Sequence, residues 1–215
     1  MSEYKEKIKY FTPASVERMA ERREKRVLEQ REMLDRGGKS RCVVCIGLNI
    51  AGPNKRGGLI DAAFAEAVEC FVSNAGIHKA IADGNGVELH IVNENTGIEA
   101  LIALDADAAE MKRICVEIEE RHPVGRLFDM DVIAKNGLKL GRSEPRKCLI
   151  CSENASICAR SRAHSVEELQ KRTGEMLAEH FANTSGVLLE NPASNFFPLW
   201  RYMPFQIPGP LRRSR

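Results

Sequence analysis

Asp129 and Asp131 stand two residues apart in GRLFDMDVIAKNG, a segment whose apolar and polar residues alternate from Leu127 to Ile133. Alternation marks a strand, and residues two apart on a strand leave from the same face. Two carboxylates so placed repel one another unless a cation, a basic side chain or water intervenes. Mg²⁺ held by one or two carboxylates together with substrate phosphates is one established solution. The spacing also occurs on solvated strand faces, so the residues alone leave both readings open. Arg126 precedes the pair, and Arg142, Arg146, Lys147, Arg160 and Arg162 follow it. Guanidinium forks match phosphate oxygens; plain surface solvation is the other account of them. His122, just before the Pro-x-Gly-Arg turn into this strand, has the chemistry to take a proton from an attacking hydroxyl, or else to complement a helix end.

Cys148, Cys151, Cys158 and His164 form C-x2-C-x6-C-x5-H. Four such ligands can close a tetrahedral Zn²⁺ site with no open position, which makes it structural; reduced thiols without metal are the alternative. Cys42 and Cys45 are also three apart, but on a strand they face opposite ways and read as core. The loop AGPNKRGG offers backbone amides with Lys55 and Arg56 after a strand. Lys55 is thus a candidate phosphate contact, although the loop lacks the spacing of a P-loop.

The elements that must position these groups follow from local pattern. Pro13 to Arg36 is rich in Glu, Arg, Lys and Met and stops at Gly37-Gly38, as an exposed helix would. Arg41 to Ile50 reads as a buried strand, Ile60 to Asn74 as a helix, and Val87 to Asn93 and Glu99 to Leu104 as a hairpin about Asn95-Thr96-Gly97. Asp105 is placed to cap a helix that runs to Arg121, and the Asp129 strand ends at Asn136-Gly137. Ser165 to Phe181 reads as a helix with Ser165 and Glu168 as its capping box. The core is then α+β in the order β-α-β-β-α-β, which matches a ferredoxin-like or related nucleotidyltransferase sheet with added N- and C-terminal helices.

We divide the chain into an N-terminal helical appendage (1–40), a catalytic domain (41–183) and a Pro- and aromatic-rich basic tail (184–215). Among 215 residues, 32 Lys and Arg nearly cancel 30 Asp and Glu, so any anion site must be local rather than a property of the whole surface. The charged start MSEYKEKIKY lacks a secretory signal's apolar run, and no later stretch is long and apolar enough to span a membrane; we expect a cytoplasmic protein whose seven cysteines stay reduced.

HPVGRLFDMDVI, followed by PRKCLICSENASICARSRAHSVEEL, resembles the citrate lyase holo-acyl-carrier-protein synthase family, the phosphoribosyl-dephospho-CoA transferases. The likeness runs more loosely through VCIGLNIAGPNK and covers roughly Arg41 to Phe181. It implies triphosphoribosyl-dephospho-CoA as donor, a serine of the apo acyl carrier protein of citrate lyase as acceptor, a phosphodiester product and released pyrophosphate. It also implies Asp129 and Asp131 as Mg²⁺ ligands, Arg126 and a subset of Lys55, Arg142, Arg146, Arg160 and Arg162 on phosphate oxygens, and His122 as a base. Arg201, Arg212, Arg213 and Arg215 in the tail would meet an acidic carrier. Two readings compete on the residues alone. One is a zinc-stabilised nucleic-acid-binding module, against which stands the lack of an RNP-like aromatic pair. The other is a non-catalytic maturation factor in which Asp129 and Asp131 decorate a surface.

Overall fold

The computed structural model describes residues 12–78, 81 and 86–188, with side chains to residue 182. The first residues of the expected tail, 184–188, continue the last helix, and the rest of the tail with its four arginines lies outside the described residues. The elements are α1 (Val16–Asp35), β1 (Arg41–Leu48), α2 (Gly58–Asn74), β2 (Val87–Glu94), β3 (Gly97–Asp105), α3 (Ala108–Arg121), a 3₁₀ turn (Gly125–Leu127), β4 (Phe128–Ile133), α4 (Ala155–Ser161) and α5 (Val166–Leu188). The four strands form one antiparallel sheet in the order β2-β3-β1-β4, with α+β character throughout.

Alternation along the strands sorts the side chains into two layers. Cys42, Val44 and Ile46 of β1, Ala100 and Ile102 of β3, and Phe128, Met130 and Val132 of β4 face Phe64, Val68 and Phe71 of α2 and Ile114, Cys115 and Ile118 of α3. Leu177 and Phe181 of α5 close this main core. On the opposite face Val43, Cys45, Leu101, Ala103 and Ile133 are covered by Met33 and Leu34 of α1. Cys42 and Cys45 are therefore buried on opposite faces, as their spacing on a strand requires. The helix expected as an appendage roofs half of the sheet. Buried Arg22 fastens it, donating to Glu29 at 2.9 Å and to Glu99 of β3 at 3.0 Å.

Two local expectations shift. Asp105 does not cap α3: it is the last residue of β3, paired with Arg41, and Asp107 caps instead, its Oδ1 accepting from the Glu110 N–H at 2.8 Å. The short α4, capped by Asn154, was not expected, because seven residues between turns carry too little periodicity to read. The capping box of α5 is present: Ser165 Oγ accepts from the Glu168 N–H at 3.1 Å, and Glu168 accepts from the Ser165 N–H at 2.7 Å.

β4 is an edge strand, and side chains satisfy its outer backbone. Lys112 donates to Met130 O at 3.0 Å, Glu119 accepts from the Met130 N–H at 2.8 Å, and Arg146 donates to Phe128 O at 2.7 Å. The turn entering β4 needs glycine at 125, since a Cβ there would sit 2.6 Å from Glu119 O.

Candidate functional site

Asp129 and Asp131 do leave β4 on one face, the face roofed by α1, but their surroundings differ. Asp131 is partly buried and ion-paired with Lys139 at 2.5 Å. Asp129 is exposed and, among the described residues, has no hydrogen-bond or ion-pair partner. Its neighbour in register on β1 is Gly47, where a side chain would meet nothing within 4 Å. On the far side of Gly47, one residue before the Ala100 that pairs with Ile46, lies Glu99. The missing side chain at 47 thus leaves a notch between two carboxylates.

That notch opens into a cleft of about 210 Å³ lined by Arg22, Arg23 and Arg26 of α1, Lys55 of the β1–α2 loop, Glu99 and Asp129. Arg26 shares Glu99 with Arg22, donating to it at 3.1 Å. Lys55 has no carboxylate partner among the described residues and donates to Ile50 O; burial, then nearby Arg23, lowers the affinity of its ammonium for its proton. The cleft joins one open carboxylate to cations that are not neutralised in full, an arrangement suited to a metal-bound polyphosphate. The α1 arginines and Glu99 were missed in the sequence because nothing in their spacing separates them from a solvated helix and a polar strand position.

The other basic candidates go elsewhere. Arg142 and Arg146 turn inward to Glu119, a buried carboxylate on α3 whose affinity for a proton is raised by burial and lowered by Arg146. They secure the β4 edge and are not brought to the notch. Arg126 donates to Lys147 O at 2.7 Å, Arg160 is exposed on α4, and Arg162 ends that helix in a left-handed conformation at φ 51°. Arg56 is buried against Asp61 at 2.8 and 2.9 Å and serves the fold.

His122 lies on the other side of the sheet from Asp129. Its ring rests 4.8 Å from that of Phe128, and its Nε2 is 3.6 Å from Glu66, which also meets His180 at 2.7 Å. The structure therefore does not bring the expected base to the carboxylates.

The cysteine set does converge. Ligand atoms of Cys148, Cys151, Cys158 and His164 all lie within 4.8 Å of one another, with Cys151 Sγ to Cys158 Sγ at 3.5 Å and His164 Nε2 to Cys151 Sγ at 3.3 Å. A tetrahedron with Zn–S bonds of about 2.3 Å has edges of about 3.8 Å, so these residues fit zinc. Against the pull of burial, the backbone N–H groups of Cys151 and Ile150 hold the Cys148 thiol down to about 6, while burial and then the Cys151 thiol push Cys158 up, so ahead of any metal the pair favours a thiolate at Cys148 alone.

Residues 14–180 match the family model of the apo-citrate lyase phosphoribosyl-dephospho-CoA transferases. The chain belongs to this family. A Vibrio cholerae O1 protein named "probable apo-citrate lyase phosphoribosyl-dephospho-CoA transferase" is 34% identical over 176 residues, which cover 77% of this chain and 93% of that protein. Protein CitXG of Haemophilus influenzae is 32% identical over 77% of this chain, and the matched part spans 35% of its own length. The Escherichia coli O9:H4 apo-citrate lyase phosphoribosyl-dephospho-CoA transferase is 36% identical over 86 residues, 38% of this chain and 47% of that protein. The family match begins before α1, so the N-terminal helix lies inside the resemblance that the sequence motifs placed from Arg41 onward. Among the described residues of this transferase, no helix is long and apolar enough to cross a membrane.

The buried His122 gives the transferase a testable acid limit. Burial, then His180, pushes its imidazole from 6.5 down to about 4. Between those values the unfolded chain takes up a proton that the native chain refuses, so stability falls as pH drops from 6.5 towards 4, by on the order of 2 kcal/mol. Glu66, which faces His122 from α2 and whose burial raises its proton affinity, offsets part of this; His180 faces the ring from α5. Thermal melts from pH 7 to pH 4 should show a shallower acid limb for His122→Phe than for the parent. The same variant should keep transfer activity at neutral pH, and a large loss of rate with an unchanged melt would return His122 to catalysis.

Proposed function

We propose that this transferase attaches the prosthetic group to the citrate lyase acyl carrier protein in the cleft between α1 and the ends of β1 and β4. The observation that carries the reading is Asp129, exposed and without a partner among the described residues, beside the Gly47 notch in a cleft walled by Arg23, Arg26 and Lys55. The donor's triphosphate lies along these cations, and the carrier's serine enters beside Asp129. The serine oxygen forms a bond to the donor's first phosphorus, the bond to the second phosphate breaks, the hydroxyl proton is released, and pyrophosphate departs along α1.

Mg²⁺ fits this cleft, because Asp129 has no competing partner and Asp131 can join it once Lys139 turns away. Bound there, it would neutralise charge on the triphosphate and on the leaving pyrophosphate. The chain's own part is positioning and fixed positive charge, which carry most of phosphoryl-transfer catalysis and leave little for a general base. This working unit runs from α1 through α5, with Zn²⁺ at Cys148, Cys151, Cys158 and His164 as a structural staple. The antiparallel order β2-β3-β1-β4 supports a ferredoxin-like sheet, and the seven free thiols suit the cytoplasm.

Gly47→Leu tests the location. A Cβ added at 47 meets nothing within 4 Å, so the melt should change little, while the filled notch lowers transfer by at least about tenfold through misplacement of the reacting groups. A Gly47→Leu chain that modifies carrier at the parent rate would move the reaction out of this cleft.

A further inference from the structure

A second hollow lies beyond the phosphate cleft, between the cysteine knuckle, α4, the start of α5 and the end of β1. It holds about 540 Å³, within the roughly 300–1,000 Å³ typical of small-molecule sites. Leu127, Leu149, Ala159 and Leu169 give it an apolar wall, and Asn49 and Ser165 supply polar edges. Among the described residues no carboxylate lines it, although acidic and basic residues are almost equally frequent in the chain. Two arginines do, Arg126 and Arg162. Arg126 is half-buried, its Nε is spent on Lys147 O, and among the described residues no carboxylate approaches it to ion-pair distance. Asn49 lines this cavity and the α1 cleft alike, so the two hollows share a wall at the end of β1.

We infer that this cavity is the subsite for the dephospho-CoA portion of the donor: an adenine nucleotide whose diphosphate meets Arg126 and Arg162 and whose base and pantetheine arm lie on the apolar wall. The triphosphoribosyl arm then passes Asn49 into the α1 cleft. The inference rests on the reading of that cleft as the triphosphate site. It makes Arg126 a binding residue and gives the knuckle a second use, since Cys148, Cys158 and His164 line the same hollow.

Calorimetric titration of the full chain with dephospho-CoA, and separately with inorganic tripolyphosphate and Mg²⁺, tests the two hollows independently. Dephospho-CoA should bind the parent. Arg126→Met, which keeps the aliphatic stem, and Ala159→Trp, which fills the cavity from its exposed rim, should each weaken that binding by at least about tenfold while tripolyphosphate affinity stays unchanged. Gly47→Leu should do the reverse. The inference is overturned if dephospho-CoA fails to bind the parent at millimolar concentration, or if both cavity variants bind it as the parent does. It is also overturned if Ala159→Trp loses apo carrier binding and keeps dephospho-CoA, which would assign the cavity to the carrier. Tripolyphosphate binding that ignores Gly47→Leu, with the dephospho-CoA losses intact, would sink the α1-cleft reading and leave the cavity assignment standing.

Discussion

Asp129→Asn should transfer the prosthetic group at least about a hundredfold more slowly than the parent, the usual consequence of removing one charged stabiliser from such a site. The amide keeps the size and much of the hydrogen bonding of the carboxylate and removes the charge proposed to anchor Mg²⁺. Folding should be untouched, because Asp129 is exposed and makes no contact that the fold needs. Asp131→Asn should also slow transfer, though by less, since in the free chain that carboxylate is held by Lys139 and must be released before it can serve. Raised Mg²⁺ should restore part of the rate to either single variant and none to the double variant. Initial rates from the mass of modified carrier, at saturating donor, read all of these. Parent-like rates in both single variants would make Asp129 and Asp131 surface residues.

The knuckle carries the second large effect. Cys148→Ser or Cys158→Ser removes one of four converging ligands from an element with few apolar contacts of its own; only Cys158 among the four is buried. Metal bound at this set would contribute folding free energy, so the loss should reach about 3 kcal/mol or more, a fall in melting temperature of roughly 6–12 °C for a chain of this size. Elemental analysis of protein purified without chelators should find zinc near one per chain in the parent and none in the variants, and chelation should lower the parent's melt to theirs. Freshly purified parent protein free of zinc would instead make the set a cluster of reduced thiols. At temperatures where the variants stay folded, the rate at saturating donor should survive, because the knuckle does not line the α1 cleft, while donor affinity should fall with the cavity that Cys148 and Cys158 line.

Patterns confined to a few neighbouring residues were legible in the sequence. The alternation of β4, the C-x2-C-x6-C-x5-H set and the Ser165/Glu168 box each depend on local spacing, and each has the geometry its spacing implies. Groups whose role depends on which face of the sheet they reach were not legible. His122 and Asp129 are seven residues apart, but the intervening 3₁₀ turn delivers one to the α2–α5 side and the other to the α1 side. Arg142 and Arg146 looked like phosphate ligands because their counter-charge, Glu119, reaches them through α3 and is buried where no spacing reveals it. The reverse error hid α1: a helix crowded with Glu and Arg reads as solvent-facing, whereas two apolar residues at its end and one buried arginine suffice to dock it over the sheet. Gly47 carries no signal at all until its register beside Asp129 is known.

Transfer itself is tested most directly by incubating the purified chain with triphosphoribosyl-dephospho-CoA, Mg²⁺ and the apo acyl carrier protein of citrate lyase, then weighing the intact carrier. The carrier should gain the mass of a single phosphoribosyl-dephospho-CoA on a serine, with pyrophosphate released in equal amount, and should gain nothing detectable over the same interval with the Asp129→Asn, Asp131→Asn double variant. A carrier whose mass stays unchanged with the parent chain across donor and Mg²⁺ concentrations, or one modified equally well by the double variant, would contradict the account.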